Sequence, residues 1–476
     1  MKRPIGIAML VIVAAIALGG ASARAETSDV AQTQPSNVSG SSDDAAWKSQ
    51  MEARMEALEK ENAALKQQPG QTPGTAPSAQ VVGQASQVTE RNDFDDQQQA
   101  APRPNDLTLD PKYRGFVPIP NTPLLMQFNA KPRLDMMSDN RNSGNPDRFV
   151  TATIPVEGTP AYGGGEQFNI SARGSQLRVD VRAPEMPGNF RFYYQNDFFG
   201  SGTGMAYRLQ HLYGEFYNVT AGFTYGVFED PDVWPDTVDY EGPNSMIFSR
   251  QPTVRYALQL DEHWELNFGL QQPSSDIDTT GNDATPVNHA PDGGMNVRWE
   301  DSKVGHVQLA GILREVGANS VTNGNQSVLG WGLNFSTVLN VFTEDSVQAQ
   351  ITYGQGIFHF SNDNFTYTGF AGGDAAYDNA GNLHALKYVA PMVGYTHRWS
   401  DKFRSTMTFG YVNLQNEPAQ GPFAYHETYY VSANVIWQIR NQLSVGLEAL
   451  YGDKIDASGA HGDVWRVQVG MVYWLF

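Results

Sequence analysis

The chain has 476 residues, no cysteine and a formal net charge of −19, from 51 acidic and 32 basic side chains. A chain without cysteine has no disulfide framework, and the acidic balance argues against nucleic acid as a partner. Beyond the N-terminus no apolar stretch is close to the length of about 20 residues that a membrane-spanning helix needs. A transmembrane β-strand needs only about 9–11 residues, so strands of that length remain possible.

The N-terminus has the pattern of a secretory signal peptide. The basic pair Lys2-Arg3 precedes an apolar run over residues 5–18, and Ala23-Arg24-Ala25 offers a small-x-small cleavage site. These features predict a cleaved signal peptide over residues 1–25. A single N-terminal membrane anchor is the alternative, but the apolar run is short for a stable span.

A polar segment over residues 26–42 precedes a predicted helix over residues 43–68, which contains no glycine or proline. Its heptad residues, spaced alternately by four and three, are Met51, Met55, Leu58, Asn62 and Leu65. This spacing predicts a short coiled coil. Asn62 lies at heptad position a, where a buried asparagine fixes the register and the oligomeric state. A lone amphipathic helix is the alternative. Residues 69–111, rich in Gln, Pro, Gly, Ser and Ala, predict a flexible linker.

Over residues 112–476 the hydrophobic pattern changes to alternation with a period of two, and sixteen segments follow it. In the clearest segment, residues 251–260, Val254, Tyr256 and Leu258 share one face, and Thr253 and Arg255 lie on the other. We interpret the connections as alternating between short and long through the whole series: residues 261–263 and 400–402 are short, and residues 138–165 and 358–383 are long. This pattern predicts an all-β fold, a 16-stranded antiparallel transmembrane β-barrel with both termini in the periplasm.

Aromatic side chains cluster near the predicted strand ends, as expected for the girdles at the two membrane interfaces. They are Trp264, Trp299, Trp399, Trp437, Tyr473 and Trp474. Ordinary core aromatics of a soluble β protein are the alternative. Both faces of the last predicted strand are apolar, so the sequence leaves its lipid-facing side open.

The alternation places many basic side chains on the polar face, which lines the lumen of a barrel. The candidate pore-lining residues on that face are Lys131, Arg133, Arg178, Arg182, Arg191, Arg255, Arg298 and Arg314, and Arg250 is a further candidate because it ends the acidic loop over residues 229–250. Rings of arginine favour small anions, so we expect passive diffusion of anionic solutes. The alternative is that these arginines pair with carboxylates as scaffolding. The acidic loop over residues 229–250 also carries Trp234 and Phe248, so we expect it to fold into the lumen as a constriction loop.

The sequence shows no catalytic constellation. The nine histidines are scattered without metal-ligand spacing, and no phosphate-binding glycine loop lies between a strand and a helix. We therefore expect no enzyme activity, no metal and no cofactor. An outer-membrane hydrolase is the alternative, because a barrel can assemble serine, histidine and carboxylate from different strands.

Two stretches resemble the DcaP-like outer-membrane porins. One is GFVPIPNT, from Gly115 to Thr122, and the other combines GPN at residues 242–244 with FSRQPTVRY from Phe248 to Tyr256. The order of signal peptide, coiled coil, linker and barrel is similar as well. Pro132, within the first predicted strand, and Asn121, where glycine is expected, depart from the family pattern, so the resemblance does not identify the solute.

The resemblance implies a homotrimer of 16-stranded barrels in the Gram-negative outer membrane, with a helical extension in the periplasm. It also implies uptake of small anions such as dicarboxylates, with Arg250 and Arg255 as constriction residues. Outer-membrane lipid is then the surrounding partner, and the coiled coil is a candidate for contact with the cell wall or a periplasmic protein. A structural or adhesion barrel tethered through its coiled coil is the alternative function.

Overall fold

The computed structural model describes residues 115–475, apart from residues 185, 203, 280–282, 343 and 365–372. The signal peptide, polar segment, coiled coil and linker predicted over residues 1–111 lie outside this range. Among the described residues no helix is long and apolar enough to cross a bilayer. Their helical parts are single 3-10 turns at Thr151–Thr153, Pro231–Val233 and Phe358–Phe360.

The described residues form twenty-two strands. In chain order they are β1 (Val117–Pro118), β2 (Leu125–Lys131), β3 (Arg133–Asp139), β4 (Gln167–Ser171), β5 (Gln176–Ala183), β6 (Phe190–Asp197), β7 (Arg208–Phe216), β8 (Val219–Tyr225), β9 (Arg250–Gln259), β10 (Trp264–Gln271), β11 (Thr285–Val287), β12 (Asp292–Asp301), β13 (Gly305–Ser320), β14 (Gly324–Val341), β15 (Asp345–Gln355), β16 (Ala375–Tyr377), β17 (Leu383–Ala385), β18 (Lys387–Ser400), β19 (Phe403–Leu414), β20 (Tyr425–Arg440), β21 (Leu443–Asp456) and β22 (His461–Tyr473).

Twenty of these strands form one sheet, and β16 and β17 form a separate hairpin. The strand pairs are antiparallel, and most join strands that follow one another along the chain. The last strand, β22, pairs with β3 from Arg466↔Asp139 to Val472↔Arg133. Through its other edge β3 pairs with β4. The end of the described chain is therefore joined to its beginning by backbone hydrogen bonds.

The two faces of the sheet are reversed relative to those of a water-soluble protein. In β3, Arg133 and Asp135 are buried while Leu134 and Met136 are exposed. In β22, Arg466 is buried and Trp465 is exposed. Buried polar and exposed apolar positions in strict alternation are typical of a sheet with hydrocarbon on its outer face. The same alternation assigns the odd-numbered residues of β22 to the outer face, which the sequence had left open.

Proline divides the first predicted strand. Pro132 lacks the N–H that a ladder needs, and it separates β2, which pairs with β5, from β3, which pairs with β22 and β4. In the preceding segment Val117 and Pro118 form β1 beside β2. There Asn121 has φ of +61°. Asparagine is one of the few residues that adopts this left-handed conformation, so it can stand where glycine was expected.

The expectation that connections alternate between long and short throughout is wrong at two hairpins. The predicted connection over residues 317–326 is largely strand, because β13 and β14 stay paired to Ser320↔Gly324. Likewise β21 and β22 stay paired to Ile455↔His461. Tight turns are available at both ends, where Gly324 has φ of +74° and Gly459 has φ of +83°. The glycine lets the chain reverse within a few residues in each hairpin, so the hydrogen bonds between the two strands continue up to the turn.

Most of the predicted girdle aromatics lie on the exposed face: Trp264, Trp399, Trp437 and Tyr473 are all exposed. The expectation is wrong for Trp474, which is 6% exposed. Its ring lies 4.5 Å from Lys131 Nζ and 4.8 Å from Arg178 Cζ. Trp474 follows the last residue of β22 and takes the buried side of the alternation, so it packs against basic side chains.

Candidate functional site

Residues 226–249, between β8 and β9, form a loop that is buried against the polar face of the sheet; we call it the inner loop. Phe228, Met246 and Ile247 are fully buried within it. The Trp234 ring lies 5.3 Å from that of Tyr225 and 5.1 Å from that of Phe248. The apolar residues that made this segment unusual as a solvated loop thus form its packing core.

Carboxamide side chains of the sheet hold the backbone of the inner loop. Six of them, each from a different strand, donate to its carbonyl oxygens: Asn296 to Val227 at 2.7 Å, Gln308 to Glu229 at 3.2 Å, Asn334 to Phe228 at 2.9 Å, Gln350 to Ser245 at 3.2 Å, Asn434 to Asp236 at 2.7 Å and Gln468 to Val238 at 3.2 Å. Buried carbonyl groups need such partners. The inner loop is therefore attached to the sheet along most of its length.

Ion pairs attach the acidic residues of the inner loop as well. Arg298 of β12 contacts Asp230 at 3.0 Å and Asp232 at 2.8 Å, and His306 contacts Asp230 at 2.8 Å. Burial alone raises the pKa of Asp230, but the neighbouring His306 and Arg298 hold that pKa well below its ordinary value. The carboxylate that the loop brings to the wall is thus kept charged by its partners.

Two further contacts of this kind lie along the loop. Arg404 of β19 pairs with Asp236, and Arg148, from the loop before β4, pairs with Glu241 at 2.9 Å. The acids that the sequence concentrates between residues 229 and 241 therefore neutralise arginines around the sheet. This arrangement explains how an acidic loop lies stably in an arginine-rich interior.

Five of the nine candidate pore-lining residues form ion pairs. Arg133 contacts Asp135 at 2.7 Å, Arg182 and Arg191 both contact Asp180 at 2.9 Å, Arg298 contacts the inner loop, and Arg314 contacts Asp374 at 2.6 Å. Lys131 and Arg178 lie against the Trp474 ring. The structure thus distributes these seven basic side chains among several small clusters.

Arg255 and Arg250 differ from that group. Within the described residues Arg255 has no ion-pair partner, and its Nε and one Nη are buried without a hydrogen-bond partner. Its neighbours across the ladder are Thr220 and Gly269, neither of which carries a charge. Arg250, in the same part of the chain, donates to Tyr225 Oη at 3.2 Å and lies 4.6 Å from the Phe248 ring, and among the described residues no carboxylate forms an ion pair with it.

Arg255 lines a small cavity between the inner loop and the sheet, together with Glu229, Glu265, Asn267 and Arg298. Burial raises the pKa of Glu229 to about 7. The Arg255 guanidinium acts in the opposite direction on that carboxyl. Arg250 and Arg255 are five residues apart on β9, a separation of about 17 Å of extended backbone at about 3.3 Å per residue.

Residues 87–474 match the model of the DcaP outer membrane protein family. The chain belongs to this family. Its fold is similar to the crystal structure of the outer membrane channel DcaP of Acinetobacter baumannii, with 18% identity, a TM-score of 0.64, and coverage of 74% of this chain and 97% of that one. An anion-selective porin from Comamonas acidovorans aligns with 9% identity and a TM-score of 0.48, over 74% of this chain and all of that one. A search of curated proteins found no significant match.

In this member of the DcaP family the first of the two stretches that carry the resemblance precedes the inner loop in sequence, and the second overlaps the end of the loop and continues into β9. Gly115–Thr122 contains β1, which pairs with β2. Phe248–Tyr256 forms the end of the inner loop and the first part of β9, including Arg250 and Arg255. The family pattern therefore covers the strand on which the two arginines without ion pairs lie.

Sequence reasoning missed a group of basic residues around Phe199. The Cζ atoms of Arg148, Arg173 and Arg208 lie 4.9, 5.3 and 5.3 Å from the centre of its ring. It also missed Arg466, which contacts Asp139 at 2.6 Å. Arg466 shares its face of β22 with Gln468, and this polar pair is the signal that identifies the inner face of that strand.

Proposed function

We propose that this DcaP-family chain is an outer-membrane porin through which small anionic solutes such as dicarboxylates diffuse passively. The observation that carries the proposal is that Arg250 and Arg255 have no ion-pair partner within the described residues, whereas five other candidate residues are neutralised by carboxylates. A positive charge without a counter-charge in a narrow, low-dielectric opening attracts anions. A guanidinium also matches the two oxygens of a carboxylate.

The proposed channel is the interior of a closed 16-stranded barrel. The pairs of β22 with β3 and of β3 with β4 support closure. Sixteen strands result when β2 and β3, on either side of Pro132, and β4 and β5, on either side of residues 172–175, are each taken as one strand. The short β1, β11, β16 and β17 are then additions outside the barrel wall. An even number places both termini on the same side of the membrane.

The inner loop is the proposed constriction, since it is attached to β12 through Arg298, to β19 through Arg404 and to β22 through Gln468. A segment fixed to strands so far apart in the sheet crosses the interior of a closed barrel. Arg255 lies in the cavity between this loop and the sheet, and Arg250 begins β9 where the loop ends; these two arginines are the proposed charged residues of the remaining opening.

The assembly that we propose is a homotrimer in the outer membrane, surrounded by lipid. The heptads over residues 43–68 support helix association in the periplasm, where residues 69–111 act as the linker to the barrel. Contact of this coiled coil with the cell wall or a periplasmic partner is part of the same proposal. Export depends on the signal peptide over residues 1–25.

The test is single-channel recording in planar bilayers with a tenfold salt gradient. We expect discrete conductance steps and a reversal potential with the sign of anion selectivity, which millimolar dicarboxylate shifts or partly blocks. A reversal potential with the sign of cation selectivity contradicts the anion pore. Correctly folded protein that gives no conductance supports a structural or adhesion barrel in its place.

A further inference from the structure

Three pairs of glycines face each other across neighbouring strands on the buried face of the sheet. They are Gly269–Gly294, Gly332–Gly354 and Gly446–Gly470. A glycine pair gives up the side-chain contacts that normally stabilise neighbouring strands. Glycine in a strand interior often marks a place where another part of the chain approaches closely, and the inner loop approaches each of these pairs.

Val238 of the inner loop lies on Gly446 and Gly470. A Cβ atom added to Gly470 would be 2.8 Å from Val238 Cγ1, and one added to Gly446 would be closer still to Val238 Cγ2. Real Cβ atoms essentially never approach another heavy atom to less than 3.0 Å. The Val238 carbonyl accepts hydrogen bonds from Arg133 and, at 3.2 Å, from Gln468. The valine is therefore held at a depth that only glycine beneath it allows.

The beginning of the inner loop lies on the other two pairs in the same way. Cβ atoms added to Gly269 and Gly294 would each be 2.9 Å from a methyl group of Val227. One added to Gly332 would be 2.9 Å from Phe228 Cζ and 2.8 Å from Ile357 Cδ1. Ile357, which follows β15, also lies over Gly354, so this third pair is covered by two segments. The two ends of the segment that begins at Val227 and reaches Val238 thus rest on distant parts of the sheet.

We infer that the glycine pairs are positioning residues, which set the depth of the inner loop against the wall and thereby the width of the constriction. Methyl groups at these positions displace the loop into the lumen, because the strands behind them are fixed by their ladders. This inference rests on the proposed function of the inner loop as the constriction. It adds that the width of the pore is determined by residues that contact no solute.

The experiment compares single-channel conductance of the full-length protein with that of Gly446→Ala/Gly470→Ala. We expect the conductance to fall by roughly a factor of two in the double variant, because the two methyl groups displace Val238 into the opening. Adding Val238→Ala to the double variant removes the clashing valine methyl groups and leaves the 2.9 Å contact between the Cβ added to Gly470 and Asp135 Oδ1 of the wall. Because that contact does not involve the inner loop, we expect this triple variant to recover most of the original conductance. If the double variant does not assemble into a trimer that runs as a heat-modifiable band on a gel, we expect the triple variant to restore that band.

Gly311→Ala is the matched control, since Gly311 lies on the other face of β13 and an added Cβ would be in ordinary contact, 3.6 Å from Leu333 Cδ2. We expect its conductance to equal that of the original protein. The inference is overturned if the folded double variant has unchanged conductance. It is also overturned if Val238→Ala does not restore the conductance or the assembly that the double variant has lost. If the original protein does not conduct, the proposed function fails; if it conducts and only the glycine variants have no effect, the inference alone fails.

Discussion

Arg298 in β12 and Arg255 in β9 line the same cavity beneath the inner loop, yet their environments are opposite. Arg298 contacts Asp230, Asp232 and Glu300 at 2.8 to 3.2 Å. Arg255 has uncharged neighbours across the ladder and, within the described residues, no ion-pair partner. The same side chain on the same face therefore serves attachment in one place, and in the other it lies without an ion pair among the described residues.

The difference follows from where the carboxylates are. Arg298 has Glu300 two residues away on its own strand, and it receives two more carboxylates from the inner loop. At the corresponding positions on its own strand Arg255 has Thr253 and Ala257. A buried ion pair cancels most of its own field, whereas a charge without a partner acts on whatever enters the cavity.

The largest expected effect is that of Arg298→Gln, which leaves Asp230 and Asp232 without their arginine. Removing one partner of a buried ion pair typically costs about 3–5 kcal/mol. We therefore expect a lower urea midpoint of unfolding in detergent and a noisier, larger conductance, because the inner loop is less firmly attached. Arg440→Gln, at an exposed arginine, is the control and should leave both unchanged. A normal midpoint for Arg298→Gln contradicts an attachment role.

Arg255→Gln should have the reverse profile, with normal stability and altered selectivity. At about 6 Å in water an elementary positive charge lowers the energy of a permeating anion by about 0.7 kcal/mol and raises that of a cation by the same amount, so its removal changes the ratio of anion to cation permeability roughly tenfold. The reversal potential in a salt gradient measures this ratio. Arg255→Lys keeps the charge and should keep most of the selectivity. A loss of stability with unchanged selectivity would make Arg255 a scaffold residue like Arg298.

The strands themselves were predictable from the sequence, because hydrophobic alternation is local. The segment predicted over residues 251–260 differs from β9 by one position at each end. The outer face of β22 was not assigned, since Val464 and Val472 share the inner face with Arg466. Arg466 and Gln468 are the polar residues of that face, and the pairing of β22 with β3 brings Arg466 to Asp139.

The pairing of the arginines was predictable only where the carboxylate is local. Arg133 with Asp135 and Arg182 with Asp180 are separated by two residues, so both side chains lie on one face of one strand. Arg404 and Asp236 are 168 residues apart and meet only because the inner loop crosses to β19. Local sequence therefore identified the arginines and the acidic loop without showing which arginines the loop neutralises.

The anion selectivity that Arg255 contributes should depend on pH through the neighbouring Glu229. Burial raises its pKa to about 7, so the carboxyl beside Arg255 is neutral at pH 5 and charged at pH 9. The cavity is then more positive at low pH, and we expect anion selectivity to be roughly twofold greater at pH 5 than at pH 9. Because the pKa is raised on folding, the neutral form favours the folded state, and this contribution is lost as pH rises through 7.

Glu229→Gln should make the anion selectivity independent of pH between 5 and 9. The selectivity should then equal that of the original protein at pH 5, where the Glu229 carboxyl is neutral. The control is Glu262→Gln, an exposed residue in the turn between β9 and β10, which should retain the pH dependence of the original protein. The measurement is again the reversal potential, taken at several pH values in one salt gradient. A Glu229→Gln variant that still titrates would assign the pH dependence to another group.

The smallest effect is expected at Trp474, where basic side chains have an aromatic partner. Its ring contacts Lys131 and Arg178, and a ring stabilises a cation without cancelling its charge. Trp474→Leu should therefore lower the free energy of unfolding by about 1 kcal/mol and leave the reversal potential unchanged. Trp399→Leu, at an exposed tryptophan, controls for the loss of an indole. A shift in selectivity for Trp474→Leu would show that Lys131 and Arg178 act electrostatically on the permeating solute, as Arg255 is proposed to do.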